Sequence, residues 1–311
     1  AFDPRMEIDP SFERFVTNEG GREETFHRWH SYRQAYSPEL VRRFMTDAEP
    51  VDGPILDPFS GSGTTVVECA RLGRAAIGID AVPVLAWLLK ARFAREAPPF
   101  APVPNDSPFS AWSEAAACDA QRAAVLLAAG RTVSGTGRPK HSATPQQLIH
   151  DVYGVVAEDL QNPLPDVGRS MVGDARALPL ATASCGGLIT SPPYLSRYDY
   201  AKINAPMERL FRATEGKALR DRQLRAAVGP KAKAVRRGPK ATLPEAAVEA
   251  AAALESNGRS ADAGVVRAYF ADMDRSMREF RRVLTPGAPC WIVIGGADLV
   301  REYVPADLIC A

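Results

Sequence analysis

The sequence predicts an α/β protein built on a doubly wound, mainly parallel sheet with helical insertions. Three observations carry that expectation. Short apolar runs that end in an acidic or small polar residue recur along the chain: Pro54-Ile55-Leu56-Asp57, Ala75 to Asp80, and Cys185 to Thr190. Helical patterns follow them, and strands that alternate with helices call for crossover connections and a parallel sheet. Between the first strand and its helix stands Gly61-Ser62-Gly63, the composition of a tight turn into a helix N-terminus.

The elements follow in order. Residues 1–25 are polar and aromatic without periodicity. A helix starts well at Ser37-Pro38-Glu39-Leu40, with Ser37 as N-cap, Pro38 at the first position, and Leu40, Val41 and Phe44 on one face. The first strand and glycine turn lead to a helix from about Thr64 to Leu72. The second strand leads to a Leu- and Ala-rich helix from about Val84 to Arg95. Prolines crowd residues 97–110 and mark a boundary. Two further helices are expected around Trp112–Ala129 and Pro145–Leu160, with a Gly/Ser/Thr/basic loop from Thr132 to His141 between them. Strand patterns resume at Ser170–Ala175 and Cys185–Thr190, and a helix runs through Ile203 to Arg212. Beyond a basic stretch come an Ala-rich helix near 244–256, an amphipathic helix Val265–Leu284, a Thr285-Pro286-Gly287 turn and a buried strand Cys290–Ile294. This gives a cofactor-binding half with an N-terminal helix (1–96), a helical insertion (97–168), and a second half (169–311) that holds a basic, flexible segment at 215–262.

With 311 residues the chain can hold one large domain with insertions or two smaller ones. A net charge of +1 argues against a uniformly basic coat, so any nucleic-acid surface must be local. The five cysteines are scattered without a CxxC pair, which fits a reducing cytoplasm and no zinc site. No apolar run is long enough for a bilayer, and no signal-peptide pattern opens the chain. A start at Ala1 rather than Met reads as a trimmed terminus. His27, Trp29 and His30 read as packing and capping groups rather than metal ligands.

Chemistry concentrates where strands end. Thr190-Ser191-Pro192-Pro193-Tyr194 follows an apolar strand, and the two prolines end its ladder in an extended turn. Such a turn offers the Ser191 hydroxyl and nearby carbonyls as acceptors beside an aromatic ring, a combination suited to an exocyclic NH2 on a nucleobase. Upstream, the first strand closes in Asp57-Pro58-Phe59-Ser60-Gly61-Ser62-Gly63-Thr64-Thr65. A phosphate loop would need Gly-Lys-Ser/Thr, and no lysine is present. A nicotinamide loop would need a third glycine where Val66 stands. Asp80, at the end of the second strand, can accept both hydroxyls of a ribose or cap the next helix. Asp174, in Gly173-Asp174-Ala175, suits an adenine amino group or a simple turn.

Together these pieces resemble the amino-directed DNA methyltransferases that use S-adenosylmethionine. The resemblance covers the cofactor half, the Ser-Pro-Pro-Tyr turn, and Arg281 to Gly287 before the fifth strand, but not the insertions. It implies a Rossmann-like class I methyltransferase fold. It makes Asp57, Phe59, Gly61, Gly63, Thr64 and Asp80 cofactor contacts, and Ser191, Pro192, Pro193 and Tyr194 the catalytic turn. A helix around Phe26 to Met45 resembles the family's methionine-side cofactor motif. The implied partner is double-stranded DNA, with a cognate restriction endonuclease as a genetic partner and a cytoplasmic location.

Serine at the first position of the turn leans toward cytosine N4 over adenine N6. An RNA base methyltransferase and a non-catalytic nucleic-acid-binding relative stay open as alternatives. Pro289-Cys290 resembles the nucleophile pair of enzymes that methylate cytosine at C5, but it precedes the fifth strand, and Cys290 is expected to be a buried core residue. Lys217, Arg220, Arg222, Arg225, Lys231, Lys233, Arg236 and Arg237 lie in a stretch with little acid and are expected to meet the DNA backbone. The insertion 97–168 is the other candidate for reading DNA. After the fifth strand about fifteen residues remain, too few for the hairpin that usually completes such a sheet, so the end is expected to be truncated or that edge built differently.

Overall fold

The computed structural model describes Phe15, Gly21 and residues 23–30, 35–47, 52–104, 106–132, 143–195, 200–215 and 243–294. Its centre is one sheet of five parallel strands: β1 (Ile55–Asp57), β2 (Ala76–Asp80), β3 (Gly168–Val172), β4 (Gly187–Thr190) and β5 (Cys290–Ile292). Their spatial order is β3-β2-β1-β4-β5. Successive strands run outward one way from β1 and then the other way from β4. The switch between those directions falls at the β1–β4 pair, where open parallel sheets leave a crevice outside their carboxyl ends.

Nine described helices surround the sheet: α1 (Pro38–Asp47), α2 (Thr64–Arg71), α3 (Pro83–Ala91), α4 (Phe109–Ala115), α5 (Asp119–Arg131), α6 (Pro145–Asp159), α7 (Tyr200–Glu215), α8 (Glu245–Ser256) and α9 (Ser260–Val283). Strand alternation sorts the apolar residues onto two faces. Ile55, Ala76 and Ile189 face a large core built with α1, α2, α3, α5 and α6. Leu56, Ile79 and Leu188 face a second core, closed by Phe280 and Val283 of α9. No helix among the described residues is long and apolar enough to cross a membrane.

Several expectations need adjusting. The helix expected at Trp112–Ala129 is two, α4 and α5. Gln121 explains the break: its side chain accepts from the Ala117 amide at 2.6 Å and donates to the Pro98 and Pro99 carbonyls. Those bonds hold residues 116–118 out of the helical path. Among the described residues, the expected Phe26–Met45 helix is helical from Pro38, and residues 23–29 form turns, with Phe26 at a positive φ of 63°. Cys290 is exposed rather than buried in the core, because among the described residues β5 pairs with β4 alone. Residues 216–242, which carry all eight basic positions named for DNA contact, lie outside the described residues.

One buried carboxylate ties the insertion to the N-terminal segment. Asp159, at the end of α6, is 3% exposed. It accepts from the Phe26 amide at 2.5 Å, from Trp29 Nε1 at 2.8 Å and from Arg28 Nε at 3.1 Å. Trp29 and His27 are buried packing groups as expected; His27 Nε2 meets Glu68 Oε1 of α2 at 2.6 Å. Burial lowers the His27 pKa against the pull of Glu68. Helices α5 and α6 pack on each other and share the large core with α3, so the insertion is part of the main body.

Replacing Asp159 with Ala leaves a buried amide and an indole N–H without their acceptor, while Arg28 keeps its pairing with Glu158 at 2.9 Å. The expected cost is about 3 kcal/mol. Urea unfolding checks it through the midpoint, and a loss below about 1 kcal/mol would show that solvent takes over these donors.

Candidate active site

The carboxyl ends of the strands bring together four of the positions singled out by sequence. Asp57 ends β1 and Asp80 ends β2; Asp174 lies two residues past β3 and Ser191 directly past β4. The loop after β1 turns through Gly61 at φ 46° and Gly63 at φ 85° into α2. Both angles lie in the left-handed region that glycine adopts without strain. Gly63 is doubly constrained, because a Cβ there would come within 2.4 Å of Leu89 Cδ1. The loop can therefore bring its backbone and the start of α2 close to a ligand without a side chain in between.

Asp80 fastens this loop to the second strand. Its Oδ2 accepts from the Gly61 amide and its Oδ1 from the Val82 amide, each at 2.8 Å. The ribose reading and the helix-cap reading thus meet in one residue: each oxygen is engaged by backbone and keeps a further lone pair.

Asp57 is the hub of the site. It is 1% exposed, and Oδ1 accepts from Thr190 Oγ1 at 2.6 Å and from the Phe59 amide at 3.2 Å. Oδ2 accepts from the Tyr36 hydroxyl at 3.2 Å. Tyr36 also hydrogen-bonds Thr65 Oγ1, which donates to the Ile189 carbonyl at 3.2 Å. Four pieces of chain meet in this network: the approach to α1, the end of β1, the start of α2 and the end of β4. Thr190 immediately precedes Ser191, so the glycine loop and the Ser-Pro-Pro-Tyr turn are bound to the same carboxylate.

In the turn, Pro192 is buried while Ser191, Pro193 and Tyr194 are half-buried. Ser191 Oγ donates to the Tyr194 hydroxyl oxygen at 3.2 Å. With its proton directed there, the serine oxygen keeps its lone pairs for an incoming donor. Phe59 sets its ring edge-on to Phe280 of α9, with centroids 6.2 Å apart. Thr64 is buried at the first position of α2. Asp174 is held by Arg176, which donates from Nε at 2.9 Å and from Nη2 at 2.8 Å, and Arg176 also pairs with Asp272 of α9 at 3.1 Å. Among the described residues no cluster of His, Cys, Asp and Glu is arranged to hold a metal ion.

Burial pushes the Asp57 carboxyl up to about 6 against hydrogen bonds from Thr190, Phe59, Thr65 and Tyr36 that lower it. Desolvation likewise pushes Asp80 up to about 6, and the Val82 and Gly61 amides oppose it. Two carboxylates with more desolvation than compensation suit a ligand that brings positive charge and hydroxyl donors. S-adenosylmethionine has that chemistry: a sulfonium, an ammonium, a ribose and an adenine amine. The glycine turn, Asp57, Asp80 and Asp174 fit it.

Tyr36 and Arg176 had been assigned no role from sequence, and Thr190 had been read only as the end of a strand. For Thr190 a signal existed: a polar residue closing an apolar strand, at the same level as Asp57. For Tyr36 none did, since its reach to β1 depends on the path of the chain before α1.

Residues 11–85 match the family model described as DNA methylase. The chain is 37% identical over 79 residues to Type II methyltransferase M.MjaII of Methanocaldococcus jannaschii, covering 25% of this chain and 14% of that protein. It is 36% identical over 72 residues to Type II methyltransferase M.BsoBI of Geobacillus stearothermophilus, covering 23% of this chain and 14% of that one. It is 30% identical over 93 residues to Type II methyltransferase M.AvaI of Anabaena variabilis, covering 29% and 19%. The matched stretches thus span less than a fifth of the length of these curated relatives.

An Asp57→Asn variant checks the buried hub through pH. A carboxyl raised in the folded state holds its proton where the unfolded chain has lost it. Its stabilising share is therefore full below the ordinary range near 3.8 and is lost as pH rises through about 6. Melting temperatures of the two proteins, followed from about pH 4 to about pH 7, should show the wild type losing more stability than the variant. Parallel curves would place the Asp57 carboxyl in contact with solvent.

Residues 11–85, which carry the first strand, the glycine loop and Asp80, are thus similar to the DNA methylase family, and the chain shares such a segment with relatives named as Type II methyltransferases.

Proposed function

We propose that this protein transfers a methyl group from S-adenosylmethionine to the exocyclic amine of a base flipped out of double-stranded DNA, and that the base is cytosine, methylated at N4. The observation that carries the reading is the Thr190–Asp57 bond of 2.6 Å. It sets an amine-binding turn and a donor-binding loop side by side at the switch point of the sheet.

When bound, S-adenosylmethionine supplies an electrophilic methyl on a sulfonium. Asp57, Phe59, Gly61, Gly63 and Thr64 would line the loop that holds it, Asp80 would accept from the ribose hydroxyls, and Asp174 would accept from the adenine amine. The target amine is a poor nucleophile, because its lone pair is delocalised into the ring. Ser191 Oγ and the Pro192 carbonyl accept its two protons, which favours a tetrahedral nitrogen and frees the lone pair. Tyr194 stacks on the extruded base. With the methyl donor bound, the aligned nitrogen would take the methyl as the donor departs as a neutral thioether, and Ser191 Oγ and the Pro192 carbonyl would pass the surplus proton to solvent. Holding the two reactants in this alignment supplies much of the acceleration. No covalent bond to the protein forms, so the exposed Cys290 at the edge of β5 takes no part.

Lys217, Arg220, Arg222, Arg225, Lys231, Lys233, Arg236 and Arg237 are proposed to follow the DNA backbone, which would make binding steeply salt-dependent. The insertion 97–168 is a second place from which DNA could be read. Relatives named as Type II methyltransferases support a cognate restriction endonuclease as the genetic partner. Adenine N6 is the second reading, since the same acceptors would grip the adenine amine.

Incubation with DNA and isotopically labelled S-adenosylmethionine, followed by digestion to nucleosides and mass spectrometry, tests the reading. N4-methylcytosine is expected; N6-methyladenine would move the assignment to the second reading, and no labelled nucleoside would count against transfer to DNA. Ser191→Ala is expected to slow transfer by about 100-fold while cofactor affinity by calorimetry stays within about twofold. Equal loss of both would make the turn a structural element.

A further inference from the structure

The residue after the Ser-Pro-Pro-Tyr turn belongs to neither core of the sheet. Leu195 is fully buried, in a third apolar cluster with Ala247, Ala250, Ala251 and Leu254 of α8 and with Ala263, Val266, Tyr269, Phe270 and Met273 of α9. Every other residue of that cluster comes from 243–277. The α8–α9 hairpin therefore has its own small core, closed by one leucine from the chain next to Tyr194.

The same hairpin reaches the opposite side of the site. Helix α9 has 24 residues, a rod of about 36 Å. Its later half carries Phe280 against Phe59, Asp272 against Arg176 beside Asp174, and Glu279, whose Oε2 accepts from the Leu178 amide at 2.7 Å. One rigid element is thus anchored to the loops proposed to hold the donor and to the turn proposed to hold the target. The turn cannot be held by its own backbone as a strand would be, because Pro192 and Pro193 have no N–H to donate. It is fixed at its two ends: Thr190 on Asp57 before it, and Leu195 in the hairpin after it.

We propose that Leu195 is a positioning residue: it seats the Ser191–Tyr194 turn on the α8–α9 hairpin, so that the hairpin sets the angle at which the turn's acceptors meet the target amine. The proposal rests on the reading of this turn as the amine-binding element. A displacement of the order of 1 Å in such a turn is enough to lower a transfer rate severely, because the lone pair must point along the carbon–sulfur axis.

Leu195→Ala is the variant, and Leu195→Met, which refills the volume, is its control. The expected result is a fall in kcat of about 10-fold to 100-fold with cofactor affinity within about twofold of wild type, and recovery of most of the rate in Leu195→Met. Amide hydrogen exchange gives a readout without turnover: the amides of Ser191, Tyr194 and Leu195 should exchange faster in Leu195→Ala, while residues 55–80 keep their protection. Val266→Ala thins the same cluster from the helix side and should act in the same direction, which covers the case in which Leu195→Ala fails to fold. A kcat within about twofold of wild type, or exchange that rises equally over 55–80, would overturn the proposal. If the wild-type protein methylates no base, the function proposed above fails, and the exchange pattern still decides whether Leu195 seats the turn.

Discussion

The bond from Thr190 to Asp57 is the constraint on which the site depends. Adjacent parallel strands β1 and β4 each end in a polar residue, and their side chains meet across the ladder at 2.6 Å. Through that contact, the glycine turn into α2 and the proline turn after β4 take their positions from one buried carboxylate. Tyr36 and Thr65 add the approach to α1 and the start of α2 to the same hub. Buried polar groups of this kind are costly unless fully paired, and a fully paired network imposes a single geometry.

The electrostatics follow from the same arrangement. Asp57 and Asp80 lie at the ends of neighbouring strands, and desolvation raises both carboxyls to about 6. The hydrogen bonds that oppose this come from neutral hydroxyls and amides, and Asp80 also feels the charges of Asp57 and Glu208. Elsewhere the chain treats carboxylates differently. Glu68 stands with Arg42, Arg71 and His27, and hydrogen bonding and charge from these groups overcome burial to hold its pKa below the usual range. Asp174 sits against Arg176. The contrast is one of partners: Glu68 and Asp174 are paired with cations, whereas Asp57 and Asp80 are held by hydroxyls and amides.

Much of this was legible in the sequence, for physical reasons. Strands buried on both faces announce themselves as apolar runs, and Gly61 and Gly63 mark a turn that only glycine makes easily. The fold class, all five strands and the place of Asp57, Asp80 and Ser191 at strand ends follow from those local signals. What stayed hidden depends on contacts between distant parts of the chain. Leu195 looks like any leucine until the α8–α9 hairpin closes over it. Tyr36 acquires its role only because residues 35–37 pass beside β1. Gln121 breaks an otherwise helical stretch through prolines more than twenty residues away. Cys290 was expected in the core because the apolar run from it to Ile294 reads as a buried strand; among the described residues that strand is paired on one side.

If one carboxylate aligns donor loop and acceptor turn, the two sides of the Thr190–Asp57 bond cannot be worth separate amounts. A double-mutant cycle on the methyl-transfer rate, with Asp57→Asn, Thr190→Val and both together, measures this directly. The account predicts strong non-additivity, with the double variant hardly slower than the slower single one and a coupling of about 2 kcal/mol. Rate losses that simply multiply would contradict it, and would mean that the loop and the turn find their positions independently.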